Sequence, residues 1–574
     1  MIKQRNIIAL IFAFFAVACA TVVPPSGGAA DTTPPIAESY KPENYSRDFH
    51  KNKVVIKFDE FVILDKLSKQ MVVSPEMPEK PEVSIQGKKV IIRLPDSLNE
   101  NTTYTIFFGN AIVNYKENLP VSNFEYVLST GPEVDSLMIE GFLVNAFDHK
   151  PAEGAFVMLY QNYDDSIPYK ERPYYLTKVA SNGHFLLNNL HEGKYKMFAL
   201  MDLNSNYLFD QPIEEVAFID SLIEPYIDPY FLSLAPRDST DTIPKEIRKP
   251  LHLFMFTESV KEQSVLSSKL LSSTKFRIRF AMPVEDLKLT ALNLKKDTSW
   301  HFDWLSPEND TLITWLSGVH QDTLKIEVAD GEVVLDTLRF ILHKRKRVIE
   351  KSRRQKKREE KQKPKPKKKP KLRYASNARG GFPFYADISL KFETPIIDYD
   401  LSKIKILHQR DTIIDTLDCK PYFKDPQYKM HLIIPTKFKE YEKYGLFIPD
   451  SVFYNIYGVS HDTIKQMFVT TEMREYGSLN LKVDYAEKKP LVIQLLNSKN
   501  KVLFSQKLPE SGKINYPYLK PGDYRIKAIR DENGNGKWDT GDYLQNLQPE
   551  KTFFIDKLIT IRANWDVDQE WIIE

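Results

Sequence analysis

Cysteine is nearly missing from this chain: there are two in 574 residues, Cys19 and Cys419. With Cys19 at the extreme N-terminus, no internal disulfide can staple the folded parts, so apolar burial must hold them together. Long apolar runs are missing too. Past the first twenty residues, none approaches the ~20 needed for a helix to cross a bilayer. There is no Gly-x-Ser-x-Gly, no His-Glu-x-x-His, no phosphate-binding glycine loop and no Cys/His metal spacing. The 11 histidines stand singly, His184 and His191 being the nearest pair. The chemistries that leave a local signature are therefore excluded. A hydrolase site assembled from distant carboxylates would leave none and stays open.

What is present begins at the N-terminus. Lys3 and Arg5 precede an apolar stretch, Ile7 to Ala18, that ends in Ala16-Val17-Ala18-Cys19. That stretch is too short for a membrane span and reads as a secretory signal. Small residues leading into a cysteine resemble a bacterial lipoprotein box. The resemblance implies cleavage after residue 18 and acylation of Cys19 (palmitate and related chains), and two or more acyl chains anchor a protein stably. A plain signal peptide that happens to contain a cysteine is the alternative. Residues 20–35, rich in Pro, Gly and Thr, cannot bury a core and form a leash.

From residue 36 the pattern is almost entirely short β-branched or aromatic runs separated by turn residues, such as Val54-Val55-Ile56-Lys57-Phe58 and Tyr104-Thr105-Ile106-Phe107-Phe108. This spacing predicts all-β sandwiches. Two repeats divide the chain. Lys57-Phe58-Asp59-Glu60-Phe61-Val62 returns as Lys391-Phe392-Glu393-Thr394-Pro395-Ile396, and faintly as Arg279-Phe280-Ala281-Met282-Pro283-Val284. These segments resemble the bacterial Ig-like domains of Bacteroidota lipoproteins. The second repeat runs Gly183, Leu190, Gly193, Tyr195, Asp202, and again Gly512, Leu519, Gly522, Tyr524, Asp531. A two-strand hairpin is the expected local structure, and the pattern resembles prealbumin-like or carboxypeptidase-regulatory-like sandwiches. The expected order is signal peptide 1–19, leash 20–35, Ig-like 36–132, prealbumin-like 133–235, weakly Ig-like 250–343, basic linker 344–374, Ig-like 375–472 and prealbumin-like 473–574. Together they should form an elongated tandem array whose second half repeats the first.

One loop carries metal-type spacing. In Asp531-Glu532-Asn533-Gly534-Asn535-Gly536-Lys537-Trp538-Asp539-Thr540-Gly541-Asp542, oxygen-bearing side chains fall at loop positions 1, 3, 5, 9 and 12. Gly536 permits the sharp turn and the Lys537 carbonyl falls at position 7, the EF-hand arrangement for calcium. Asp542 stands where a bidentate Glu is usual, and no helices flank the loop. A solvated Asn-Gly turn is the plainer alternative. Asp202, Asn204, Asn206 and Asp210 form a degraded copy, with Tyr207 at position 6 and Glu214 just past position 12.

Two further features bear on partners. Residues 344–371 hold 17 Lys/Arg against 3 Glu. In an exported protein such a run suits a charge-extended spacer or contact with an acidic lipid or protein surface, rather than nucleic acid. Asp, then Ser or Thr, then Leu, Ile, Val or Thr recurs fourteen times, placing acceptor oxygens at Thr32, Ser97, Ser136, Thr311, Thr323, Thr412 and Thr463 among others. The tripeptide resembles the O-glycosylation acceptor of exported Bacteroidota proteins, though turns entering strands favour the same residues. The combined expectation is a non-enzymatic, lipid-anchored outer-membrane scaffold or accessory subunit of a barrel-assembly, secretion or uptake complex. A surface adhesin or glycan-binding protein is the alternative. Ala20-Thr21-Val22-Val23 lacks the acidic residues that often follow the cysteine of surface-exported lipoproteins, which favours the periplasmic leaflet.

Overall fold

A computed structural model describes residues 32–227, 250–294, 300–342, 370–410 and 413–573, apart from Pro78 and Lys488. It is nearly all strand, with two four-residue α-helices and two 3-10 turns among the described residues. Among the described residues, five apolar cores follow one another in chain order; four lie between separate sheets, and the second is wrapped by one eight-stranded sheet. Alternation is the cause. In Lys53–Phe58 the side chains of Val54, Ile56 and Phe58 are buried while Lys53 and Lys57 face water.

The first sandwich packs the sheet Ala37–Lys41, Lys53–Phe58, Lys89–Arg93, Glu82–Gln86 on the sheet Val72–Ser74, Thr103–Gly109, Phe124–Ser129, with a short pair Val62–Leu64 and Ile112–Asn114. The fourth sandwich repeats it. Tyr374–Ser376, Ile388–Phe392, His431–Ile434 and Tyr422–Phe423 form one sheet. Gly381–Phe382, Ile464–Thr470, Lys443–Ile448, Lys405–Arg410 and Ile413–Leu417 form the other, and Ile396–Tyr399 pairs with Phe453–Asn455. The repeat reaches side-chain detail. Tyr104 Oη accepts from the Asn99 N–H at 2.9 Å, and Tyr444 Oη from the Lys439 N–H at 3.0 Å, each five residues upstream. The third sandwich is a four-stranded sheet (Val265–Ser272, Lys275–Phe280, Thr311–Leu316, His301–Leu305) on a three-stranded one (Leu287–Ala291, Thr323–Asp330, Val333–Ile341). Four on three is the strand count of an Ig constant-type domain.

The second and fifth sandwiches share another topology. In the fifth, Gly477–Tyr485 lies between Gly512–Leu519 and a parallel Asp566–Ile573. In the second, Leu137–Asn145 lies between His184–Leu190 and a parallel Leu251–Thr257. Leu251–Thr257, expected to open the third domain, therefore closes the second, where Leu253 and Met255 enter the core. The expected hairpin is also corrected. His184–Leu190 and Lys196–Leu200 do not pair; each takes a different partner, Leu137–Asn145 for the former and Phe156–Tyr160 for the latter. Gly512–Leu519 and Gly522–Arg530 do the same. A tyrosine fixes each crossing: Tyr195 Oη donates to the His191 carbonyl and Tyr524 Oη to the Lys520 carbonyl, at 3.0 and 2.7 Å.

The chain forms two compact units, residues 1–258 with 541–549, and residues 259–540 with 550–574.

Candidate functional site

The second and fifth sandwiches each send out a loop after the crossing strand, and the two loops have the same internal wiring. In the second unit, Asp531 begins the loop directly after Gly522–Arg530. Its Oδ2 accepts from the Gly536 N–H at 2.8 Å. Asn533 and Asn535 donate their amide hydrogens to Asp539 Oδ2 at 2.6 and 2.7 Å, while Lys537 N–H donates to Asn535 Oδ1 at 2.7 Å. Gly534 and Gly536 take the left-handed φ values of 74° and 79° that let the chain coil so tightly.

The carboxylate that closes this loop is Glu550, not Asp542. Glu550 Oε1 accepts from the Glu532 N–H at 2.7 Å and Oε2 from the Asp539 N–H at 3.0 Å, binding both ends of the loop. Its carbonyl accepts from Trp538 Nε1 at 2.8 Å. Burial pushes the Glu550 carboxyl above its usual range; the two N–H donors oppose this, and Asp539 and Asp531 push it further up. Asp542 belongs to the first unit, where its N–H donates to the Leu547 carbonyl and its Oδ1 accepts from the Gln545 N–H. Counting twelve positions misses Glu550 because residues 540–549 intervene. The available signal was the repeat itself: Gln211-Pro212 precedes Glu214, and Gln548-Pro549 precedes Glu550.

The copy in the first unit is complete by the same measure. Asp202 Oδ2 accepts from the Tyr207 N–H at 2.9 Å, and Asn204 and Asn206 donate to the Asp210 carboxylate at 3.0 and 2.7 Å. Glu214, fully buried, accepts from the Leu203, Asp210 and Gln211 N–H groups at 3.0 to 3.3 Å. Ser205 and Tyr207 adopt left-handed φ of 63° and 61° where the other loop has glycines.

The loops differ at the first aspartate. Asp202 Oδ1 accepts from the Asn204 and Ser205 N–H groups. Asp531 Oδ1 is buried with no hydrogen-bond partner, in a residue only 1% exposed.

Residues 541–549, which have no counterpart after Asp210, pack within the first unit. The Tyr543 ring lies 4.9 Å from Phe198 and 5.1 Å from Phe218, its N–H donates to Glu258, and Gln548 Nε2 donates to the Phe218 carbonyl. Burial pushes the Tyr543 phenol well above its usual range, and nearby Asp165 adds to this.

Other expected positions fall as follows. Cys19 and most of the basic segment, 343–369, lie outside the described residues, as does Thr412. Thr32, Ser97, Ser136 and Thr463 are exposed. Thr311 and Thr323 open strands and are half-buried, the turn-into-strand geometry. Cys419 is half-buried, and burial raises its thiol. Among the described residues, three sheet edges carry consecutive exposed apolar residues, one of them Val333–Ile341 with Val333 and Val334. Among the described residues, Val502–Leu508 pairs only with Leu491–Asn497 and exposes Val502, Leu503 and Phe504, while Ile413–Leu417 pairs only with Lys405–Arg410 and exposes Ile413 and Ile414.

Comparison with known proteins adds one family. Residues 31–130 match the model of a bacterial Ig-like domain, the segment of the first sandwich. No curated protein matches. Among solved structures, the S-layer protein rSbsC aligns over 92% of this chain and 67% of its own, at 9% identity and TM-score 0.13. BcpA, the major pilin subunit of Bacillus cereus, covers 76% of this chain and 99% of its own, at 11% identity and TM-score 0.13. An Escherichia coli alpha-2-macroglobulin fragment covers 52% and 97%, at 10% identity and TM-score 0.17. Values this low establish neither a shared overall fold nor a shared function.

Proposed function

We propose that this chain is a non-enzymatic scaffold: an exported lipoprotein of Bacteroidota type, held at the outer membrane through Cys19, that serves as an accessory subunit of an outer-membrane protein complex. The observation that most supports this reading is the pair of exposed apolar edge strands, Val502–Leu508 and Ile413–Leu417. An edge strand offers free N–H and C=O groups to an added strand, and a row of exposed apolar side chains beside them is a liability unless a partner covers it. The basic segment 344–371 suits an acidic lipid or protein surface. Thr32, Ser97, Ser136 and Thr463 are the better placed glycan acceptors, because an acceptor oxygen must be reachable.

The test is a mild-detergent pull-down of the native lipidated protein from its own membranes, with a Cys19→Ala control. Recovery of a stoichiometric outer-membrane barrel, lost in the control, is the expected result. Recovery of the chain alone would overturn the subunit reading and favour adhesion or glycan binding.

A further inference from the structure

The unpartnered Asp531 Oδ1 is the one feature of the second loop that its own hydrogen bonds leave unexplained. A buried carboxylate oxygen is ordinarily met by donors, as its counterpart in the first loop is. The loop that Asp531 opens carries the Asn533 and Asn535 amides, Asp539 and Glu550, with the Lys507 ammonium donating to the Gly534 carbonyl at 2.7 Å on its rim. Several carboxylates with amide and carbonyl oxygens between them suit a hard divalent cation, and a ring of six or seven oxygens suits calcium better than the smaller magnesium.

We propose that Asp531, Asn533, Asn535, Asp539 and Glu550, with the Lys537 carbonyl, bind one calcium ion. Among the described residues, no three His, Cys, Asp or Glu side chains stand close enough together to hold an ion, so Asp531, Asp539 and Glu550 have to draw together as it binds. In this loop two donors are amides and one is a carbonyl, and both amides turn their nitrogen toward Asp539. Turning the amides over presents their oxygens to the same point. Calcium then does what the amide hydrogens do in its place, drawing Asp539 inward, and it also meets Asp531 Oδ1. The loop Asp202–Glu214, with no such orphaned oxygen, is not part of the site.

Trp538 lies inside the loop beside Asp539, so it can sensitise a bound lanthanide. The experiment titrates the detergent-solubilised full chain with terbium under tryptophan excitation, then displaces terbium with calcium, alongside calorimetry with calcium alone. One site per chain is expected. Glu550→Gln should weaken binding by ~10-fold or more, and Asp531→Asn, the second variant should the first not fold, likewise. Asp542→Asn should stay within about twofold of the parent chain, and Trp538→Phe should lose the luminescence while keeping the calcium heat. No binding at ~10 mM calcium, well above the weakest extracellular calcium modules, would overturn the proposal. So would parent-like affinity in Glu550→Gln, or a loss confined to Asp542→Asn.

Discussion

The loops Asp202–Glu214 and Asp531–Glu550 are built on one plan, yet they satisfy their carboxylates differently. In the first, Asp202 and Glu214 are both saturated by backbone N–H groups. In the second, glycines replace Ser205 and Tyr207 at the left-handed positions, and one oxygen of Asp531 is left over. The first loop closes itself with hydrogen bonds and tolerates side chains in left-handed backbone. The second relaxes the backbone with glycines and keeps a buried carboxylate oxygen that its own hydrogen bonds do not meet. Two copies of one motif thus differ in whether the loop alone satisfies its first aspartate.

The largest expected effect separates the closing glutamates. Glu214→Ala strips a buried carboxylate from three N–H donors, and charge-assisted bonds of that kind contribute about 1.5–3 kcal/mol each. A loss of at least about 4.5 kcal/mol in denaturant unfolding of the first unit is expected at neutral pH. Glu550→Ala, measured in chelator, should cost less because only two N–H groups lose a partner. Equal losses would break the comparison.

Next is the segment only the second loop carries. Tyr543→Ala should destabilise the first unit by about 3 kcal/mol, the range for removing a buried aromatic ring. Tyr543→Phe should be neutral or slightly stabilising, since the buried hydroxyl has no hydrogen-bond partner. Thermal melts of both variants decide this; a costly Phe variant would show that the hydroxyl matters.

Smaller effects come from the turns. Gly536→Ala places a Cβ at φ 79° and meets the Lys507 side chain, which can swing away. The cost expected from the left-handed backbone is about 1–2 kcal/mol. Ser205→Gly, at an exposed left-handed position, should stabilise by under about 1 kcal/mol, the relief of strain being partly offset by a more flexible unfolded chain. Opposite signs in the two melting curves would sharpen the contrast; the same sign would blunt it.

Much of this architecture was legible in the chain. Alternating apolar residues gave the strands, and the spaced Gly, Leu and Tyr positions gave the order of the sandwiches, because each repeat preserves a turn, a core contact or the Tyr195 and Tyr524 crossings. Three things were not legible. Leu251–Thr257 joins the second sandwich by parallel pairing, which needs no adjacent turn and leaves no local signature. The hairpin expectation failed because strands that are neighbours in sequence take other partners: His184–Leu190 and Lys196–Leu200 stand apart in one sheet, and Gly512–Leu519 and Gly522–Arg530 belong to two sheets, and periodicity cannot say which. Glu550 escaped a fixed twelve-position count because residues 541–549, which belong to the first unit, stand between Asp539 and the glutamate that closes the loop.

The most direct measurement is backbone hydrogen exchange on the intact chain, in calcium and in chelator, reading both loops in one experiment. The expected result is that amides of residues 531–539 gain protection on adding calcium. Those of residues 202–214, already held by Asp202 and Glu214, should be protected in both conditions. Protection in both loops that rises together with calcium, or a second loop fully protected in chelator, would contradict the division of roles between them.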